Sequence, residues 1–350
     1  MPPGPAGRRP GRSLSWGGSR RLSFASVNTA GLLSLPSLRE GLGRLEPELR
    51  AAVVSGDGFL DEVTTHLIAA GGKRLRPCLA LAAATGGSSR PSDDDLQGAI
   101  AVELVHLASL YHDDVMDEAT VRRNVESVNA RFGNLVAIVA GDFLLARSAE
   151  IAASLGTEIA ALLANTLGRL CQGQVAEVRS AFSTARTQDE YFSAIAGKTA
   201  ALMATSCRIG ALTGGLPRED VEALTTFGRC FGILFQLRDD VLDVVASEDD
   251  LGKPAGQDLA EGIYTLPVLL ALEDPETRRE LAPLLGQPLD QPERDKARAI
   301  VAGSPAIPAT LQAGRRYAAE AAEAATAVPG PDLGPILGAL AHSVLDDITA

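Results

Sequence analysis

The chain has 350 residues, 46% hydrophobic, 4% aromatic, with a formal charge of −12. That excludes disorder for most of the chain, a basic nucleic-acid surface and, since no apolar run reaches 18 residues, a transmembrane helix. Alanine and leucine dominate over aromatic and β-branched residues, which favours helices over sheets.

Residues 1–38 carry five arginines and no acid, leaving 27 basic groups against 44 acidic ones in the rest of the chain. The Pro, Gly, Ser and Arg content of this start, without apolar periodicity, predicts a disordered extension over 1–38, and an organellar leader has a similar composition. From residue 39 to 350 the pattern is one all-α domain, helix after helix with Gly/Pro breaks and no convincing strand alternation. Ser92 before Asp93-Asp94-Asp95 marks a helix start, and the apolar spacing continues to Asp117, about 37 Å of helix. A second long helix is predicted from Pro217 to Asp243, followed by a polar loop over Ser247–Asp258. A Pro-rich connection is predicted over Pro283–Pro308. Cys78, Cys171, Cys207 and Cys230 show no paired or metal-ligand spacing and read as reduced thiols of a cytoplasmic protein.

Two Asp-Asp-x-x-Asp motifs carry the chemistry: Asp113, Asp114, Asp117 and Asp239, Asp240, Asp243. The spacing sets three carboxylates along one edge of a helix. Like charges ~6 Å apart repel by roughly 3 kcal/mol at an effective dielectric of 20, and the C-terminal end of a helix disfavours anions further. A solvated acidic face could carry one such motif, but two in apolar helices point to divalent cations. An oxygen-only donor set suits Mg²⁺ or Mn²⁺ shared with substrate phosphates.

Cations for a diphosphate surround these motifs. Gly71-Gly72-Lys73-Arg74-Leu75-Arg76-Pro77 sets basic groups beside a glycine turn, Arg122-Arg123 follows the first cluster, and Lys198-Thr199 and Lys253 come later. Glu103-x-x-His106 is half of a di-iron ligand pattern, but His66, His106, His112 and His342 provide no second copy. His106 shares a helix face with Asp113 and can serve a substrate phosphate.

With these motifs in place, residues 39–350 resemble the trans-isoprenyl diphosphate synthases, the polyprenyl synthetase family. The matching segments are GGKRLRP at 71–77, ELVHLASLYHDDVMD at 103–117, RR at 122–123, KT at 198–199, FQLRDDVLD at 235–243 and GKPAGQD at 252–258. The resemblance implies an all-α isoprenoid-synthase-type helical bundle with a central active-site cavity, a homodimer, and condensation of isopentenyl diphosphate with an allylic diphosphate primer. It implies about three Mg²⁺ held by the six aspartates. Asp113, Asp114, Asp117, Asp239, Asp240 and Lys198 would be catalytic. Arg122, Lys198, Thr199, Gln236 and Lys253 match positions on the allylic diphosphate, while Lys73, Arg76, His106 and Arg123 match the isopentenyl diphosphate site. No nucleic acid is implied, and transient membrane contact for product release is.

Two departures stand out. Ile263 occupies a position where many relatives have lysine, and His342–Ala350 is acidic where some short-chain relatives are basic. Ala108 and Ser109, just before the first cluster, lie where short-chain members carry aromatics as a floor, so the product is expected beyond 20 carbons, about seven to ten isoprene units. Gly228 and Gly232 read either as a second small-residue lane or as close helix packing. A geranylgeranyl-type synthase with a deeper floor such as Phe143, a regulatory subunit, and a terpene cyclase are the alternatives. The intact acidic clusters disfavour the subunit, and GGKRLRP disfavours the cyclase.

Overall fold

The computed structural model describes residues 29–86, 90–247, 255–328 and 332–348. Its chain runs through α1 (Ala30–Leu33), α2 (Pro36–Ala52), α3 (Gly58–Ala69), α4 (Leu75–Thr85) and α5 (Asp93–Met116). A hairpin then leads to α6 (Val128–Phe132), α7 (Asn134–Ser154), α8 (Thr157–Ser180) and α9 (Gln188–Ile195). A π turn (Ala196–Ala200) joins α9 to α10 (Ala201–Thr213) and α11 (Arg218–Val245). There follow α12 (Gln257–Ala260), α13 (Leu266–Glu273), α14 (Pro275–Leu281), α15 (Gln291–Ala302), α16 (Ala306–Thr326) and α17 (Leu333–Ser343).

The expected helix over 93–117 is α5. Ser92 Oγ accepts from Asp95 N at 3.1 Å and the Asp95 carboxylate accepts from Ser92 N at 2.9 Å, a reciprocal cap that fixes its start. Its middle is buried on nearly every side, from Leu96 to Ala108. One core lies under α2, α4, α5, α7, α10 and the first half of α11. A second gathers the last half of α11 with α13, α15 and the start of α16. α11 passes through both, and its C-terminal half is buried in the second.

Backbones touch where the core is tightest. A Cβ at Gly210 or Gly214 would come within 1.9 Å of Ala80 O or 2.2 Å of Ala84 O, locking α10 to α4. At Gly228 and Gly232 it would meet Met203 O at 2.7 Å and the Ala200 Cα at 2.6 Å. Those two glycines are therefore helix packing, and no lane opens along them.

Three expectations are corrected. Residues 30–38 belong to the helical body, because Leu32, Leu35 and Leu38 recur every third position and bury completely or nearly so. The Pro283–Pro308 stretch contains α15, whose start combines Pro292 in the first turn with a reciprocal Asp290/Glu293 cap. A two-residue hairpin, Val121–Arg122 against Val125–Glu126, follows the first acidic cluster. Arg123 (φ 52°) and Asn124 (φ 62°) are both left-handed at its turn, the geometry that matches strand twist. The rest of the 1–38 extension, and most of the loop after Ser247, lie outside the described residues.

On the surface, Leu135, Ile138 and Val139 of α7 are exposed. So are Cys171, Val175 and Val178 of α8, at i, i+4, i+7 on one face. Among the described residues no helix is long and apolar enough to cross a membrane.

Candidate active site

The two acidic clusters occupy the C-terminal ends of α5 and α11 and are built alike. In each, the outer residue stands toward solvent and the middle one is sunk into protein. Asp113 is half-buried and Asp117, at the end of α5, is exposed, whereas Asp114 is fully buried. Arg122 donates to Asp114 Oδ1 from Nε at 2.7 Å and Nη2 at 2.6 Å. Asp114 Oδ2 is buried with no hydrogen-bond partner. Burial raises the Asp113 carboxyl to about 6, with the nearby Lys198 working against it.

In the second cluster Asp239 is exposed and Asp240 and Asp243 are buried. Tyr191 OH donates to Asp240 Oδ2, and Gln236 Nε2 donates to Oδ1 at 2.8 Å. Burial pushes Asp240 up to about 7 against these two bonds. Asp243 accepts from the backbone of Asp258 at 3.3 Å. The six aspartates thus divide: Asp117 and Asp239 are exposed, Asp113 is half-buried, and Asp114, Asp240 and Asp243 are buried and held by protein donors. Among the described residues no three acidic, histidine or cysteine side chains converge at ligand distance. The outward carboxylates, the desolvated Asp113 and the unpartnered Asp114 oxygen nevertheless fit hard divalent cations.

Lys198 and Thr199 lie on the π turn, a local widening of the helix typical of functional positions. A Cβ at Gly173 would come within 2.7 Å of Lys198 N, so α8 presses directly on the turn. From there Lys198 Nζ reaches Glu177 at 2.5 Å. Thr199 Oγ1 donates to Gln236 Oε1 at 2.8 Å, and Gln236 passes the chain on to Asp240.

Cations gather around the 71–76 turn, within charge range of both acidic clusters. Burial lowers the Arg76 guanidinium to about 10, and its Nε has no partner. Arg123 donates to Leu67 O at 3.2 Å and to Gly71 O. Burial and the adjacent arginines hold His106 far below its ordinary range, hence neutral. Lys73 is exposed, and the carboxylate acting on it most strongly is Asp239 of the second cluster. Lys253 falls outside the described residues.

Ser109 is half-buried on the face that carries His106 and Asp113, and its hydroxyl donates to His106 O at 2.8 Å. Ala108, by contrast, is fully enclosed in the core, as are Val102 and Val105. Phe143 on α7 is half-buried. The acidic C-terminal stretch is tied down by the fully buried Arg238, which donates to Val344 O at 2.9 Å and Asp347 Oδ2 at 2.7 Å. Sequence reasoning missed Glu177, Tyr191, Arg74 and Glu103 as partners of site residues. Glu103 gave a signal through its place in Glu-x-x-His, and Arg74 through its place in the basic turn at 71–77.

The sequence profile of the polyprenyl synthetase family matches residues 57–302. The chain belongs to this family. It is therefore a trans-prenyltransferase with the all-α isoprenoid synthase fold. The nonaprenyl diphosphate synthase of Mycobacterium tuberculosis is 35% identical over 299 residues, 85% of this chain and 89% of that one. Heptaprenyl diphosphate synthase component 2 of Geobacillus stearothermophilus is 42% identical over 250 residues, 70% and 77% of the two chains. The crystal structure of a polyprenyl synthase from Caulobacter crescentus, complexed with calcium and isoprenyl diphosphate, superposes with a TM-score of 0.84 at 31% identity. It covers 91% of this chain and 98% of that one. The family is one of Mg²⁺-dependent prenyltransferases.

Proposed function

We propose that this polyprenyl synthetase extends an allylic diphosphate with isopentenyl diphosphate to a trans-polyprenyl diphosphate longer than 20 carbons. The observation that carries this reading is the pairing of two unlike anion sites. One is an acid-rich site at the ends of α5 and α11 with Lys198 between, and the other is the cationic pocket of Arg76, Arg123 and His106.

The primer diphosphate belongs at the first. Asp113, Asp117 and Asp239 would hold Mg²⁺, which when bound stabilises the charge on the departing diphosphate. Asp114, Asp240 and Asp243 support them from behind. Arg122, Lys198, Thr199 and Gln236 orient the same diphosphate, with Lys253 as a further contact. Lys73, Arg76, Arg123 and neutral His106 take isopentenyl diphosphate without a metal, by charge-assisted hydrogen bonds. The allylic carbon–oxygen bond breaks with its electron pair leaving on diphosphate. The isopentenyl double bond then attacks the allylic carbon, and the proton lost from the adduct goes to the released diphosphate. Fixed cations at the leaving group lower this barrier without a side-chain nucleophile.

Support for a long product comes from Ser109 on the cavity face, where a hydroxymethyl leaves space for the growing chain, and from the nonaprenyl and heptaprenyl relatives. The exposed apolar stripes of α7 and α8 support a homodimer, and the free thiols a cytoplasmic enzyme. The half-buried Phe143 favours the second reading, a geranylgeranyl synthase with a deeper floor. The test is turnover by the full chain with Mg²⁺, isopentenyl diphosphate and geranyl, farnesyl or geranylgeranyl diphosphate, with product length read by mass. Products past 20 carbons support the proposal. A stop at 20 selects the second reading, and no product from folded protein indicates a required partner, as the word "component" in the Geobacillus relative's name suggests for that protein.

A further inference from the structure

The Glu103-x-x-His106 pattern finds no metal partner, yet Glu103 is only 1% exposed in the middle of α5. A carboxylate so buried costs several kcal/mol to desolvate unless cations surround it. They do: Oε1 accepts from Arg74 Nη1 at 2.8 Å, and the charges of Arg76 and Arg123 act on the same carboxylate. One anion is thus shared by three guanidinium groups, two of which line the cationic pocket.

Arg74 itself is unusual. It caps α4 with φ 48°, the left-handed region that costs a side-chain-bearing residue about 1 kcal/mol or more. Its guanidinium is buried and further held by Glu46 at 2.6 Å and Ile68 O at 3.3 Å. Since Arg74 lies between Lys73 and Arg76, fixing its backbone fixes the directions of both. Arg123 clamps the other side of the same turn through Leu67 O and Gly71 O. A Cβ at Gly72 would stand 3.0 Å from the Arg123 guanidinium, so the turn and the arginine fit against each other.

We propose that Glu103 is a positioning residue of the isopentenyl diphosphate site. It holds Arg74, and through it the Lys73–Arg76 turn, in the shape that receives the metal-free diphosphate. It also offsets repulsion among the arginines while leaving the pocket net cationic. A Glu–Arg pair kept only for packing would gain little over apolar residues of the same size, whereas a pair that sets a turn's geometry gains substrate affinity. The inference rests on the assignment of this pocket to isopentenyl diphosphate.

The test is steady-state kinetics of the full-length enzyme, varying one substrate at a time. Glu103→Gln is expected to raise KM for isopentenyl diphosphate at least tenfold, with kcat within threefold and the allylic KM unchanged. Because Glu103→Gln leaves the buried Arg74 to Glu46 and can weaken folding, the Arg74→Gln/Glu103→Gln double variant is measured beside it. It should recover thermal stability yet keep the raised KM. Recovery of KM in the double variant, or equal losses for both substrates, would overturn the proposal. Arg76→Ala separates the two levels. If it raises the isopentenyl diphosphate KM and Glu103→Gln does not, the positioning role fails. If Arg76→Ala leaves that KM unchanged, the pocket assignment fails and takes this proposal with it.

Discussion

The acidic clusters on α5 and α11 share one spacing but are compensated differently. Asp114 is held by a cation, Arg122, whereas Asp240 is held by two neutral donors, Tyr191 and Gln236. The difference appears in their acidity: Asp240 is raised to about 7, while the Asp114 shift is smaller. Identical motifs therefore need not be equivalent, because the depth of burial first, and the partner of the middle carboxylate second, decide how readily the cluster carries full negative charge. The first cluster keeps an internal counterion. In the second, the cations Arg238 and Lys73 stand by Asp239.

The largest expected effect tests what the clusters have in common. Asp113→Ala and Asp239→Ala should each lower turnover by at least about 10²-fold, the scale of losing one main electrostatic stabiliser. Rates near normal at saturating Mg²⁺ would remove the assignment of these residues. The next effect separates the clusters. Arg122→Gln leaves Asp114 buried without its cation, costing up to about 3 kcal/mol. Tyr191→Phe leaves Gln236 in place on Asp240 and should cost nearer ~1 kcal/mol. Denaturant melts of both variants decide it, and equal losses would show that charge compensation is not the distinction.

pH sharpens the same contrast. Asp113 at about 6 and Asp240 at about 7 are both raised above ordinary carboxylates, so the folded, metal-free protein holds protons that the unfolded chain releases. Its stability should fall as pH rises from about 4 through 7. Mg²⁺ needs the deprotonated form and should raise the melting midpoint more at pH 8 than at pH 5.5. An equal shift at both would contradict the sign.

The smallest effect concerns the turn before each cluster. Four residues before Asp239 stands Phe235, and four before Asp113 stands Ser109. Ser109→Phe makes α5 resemble α11 there and should shorten the product by one or more isoprene units, read by mass. Ala108→Phe should also shorten it, but with about 1–3 kcal/mol of overpacking in a closed core. Unchanged products from both variants would place the floor elsewhere.

Much of this was legible in the sequence because its signals are local. The Ser92 cap, the apolar run of α5, the two Asp-Asp-x-x-Asp spacings and the basic turn at 71–76 each declare themselves within a few residues. The hairpin was not, since two paired residues are too few to alternate. Nor was the π turn, whose Ala196–Ala200 composition is that of an ordinary helix. Least legible were the pairings across distance: Lys198 with Glu177, Tyr191 with Asp240, Arg74 with Glu103. These are set by which helices meet, and α8 and α11 each press through glycines on the π turn and α10, residues whose tolerance for contact does not reveal the partner.

Of the four thiols, Cys78, Cys207 and Cys230 are sealed in the interior, and burial pushes each toward weaker acidity. Cys171 alone is exposed, on the same face as Val175 and Val178. The molecule therefore has a built-in attachment point for one spectroscopic label, placed on the apolar stripe of α8 that the homodimer proposal invokes. A nitroxide there would turn the proposed association of two copies into a measurable spin–spin distance, with no cysteine added or removed.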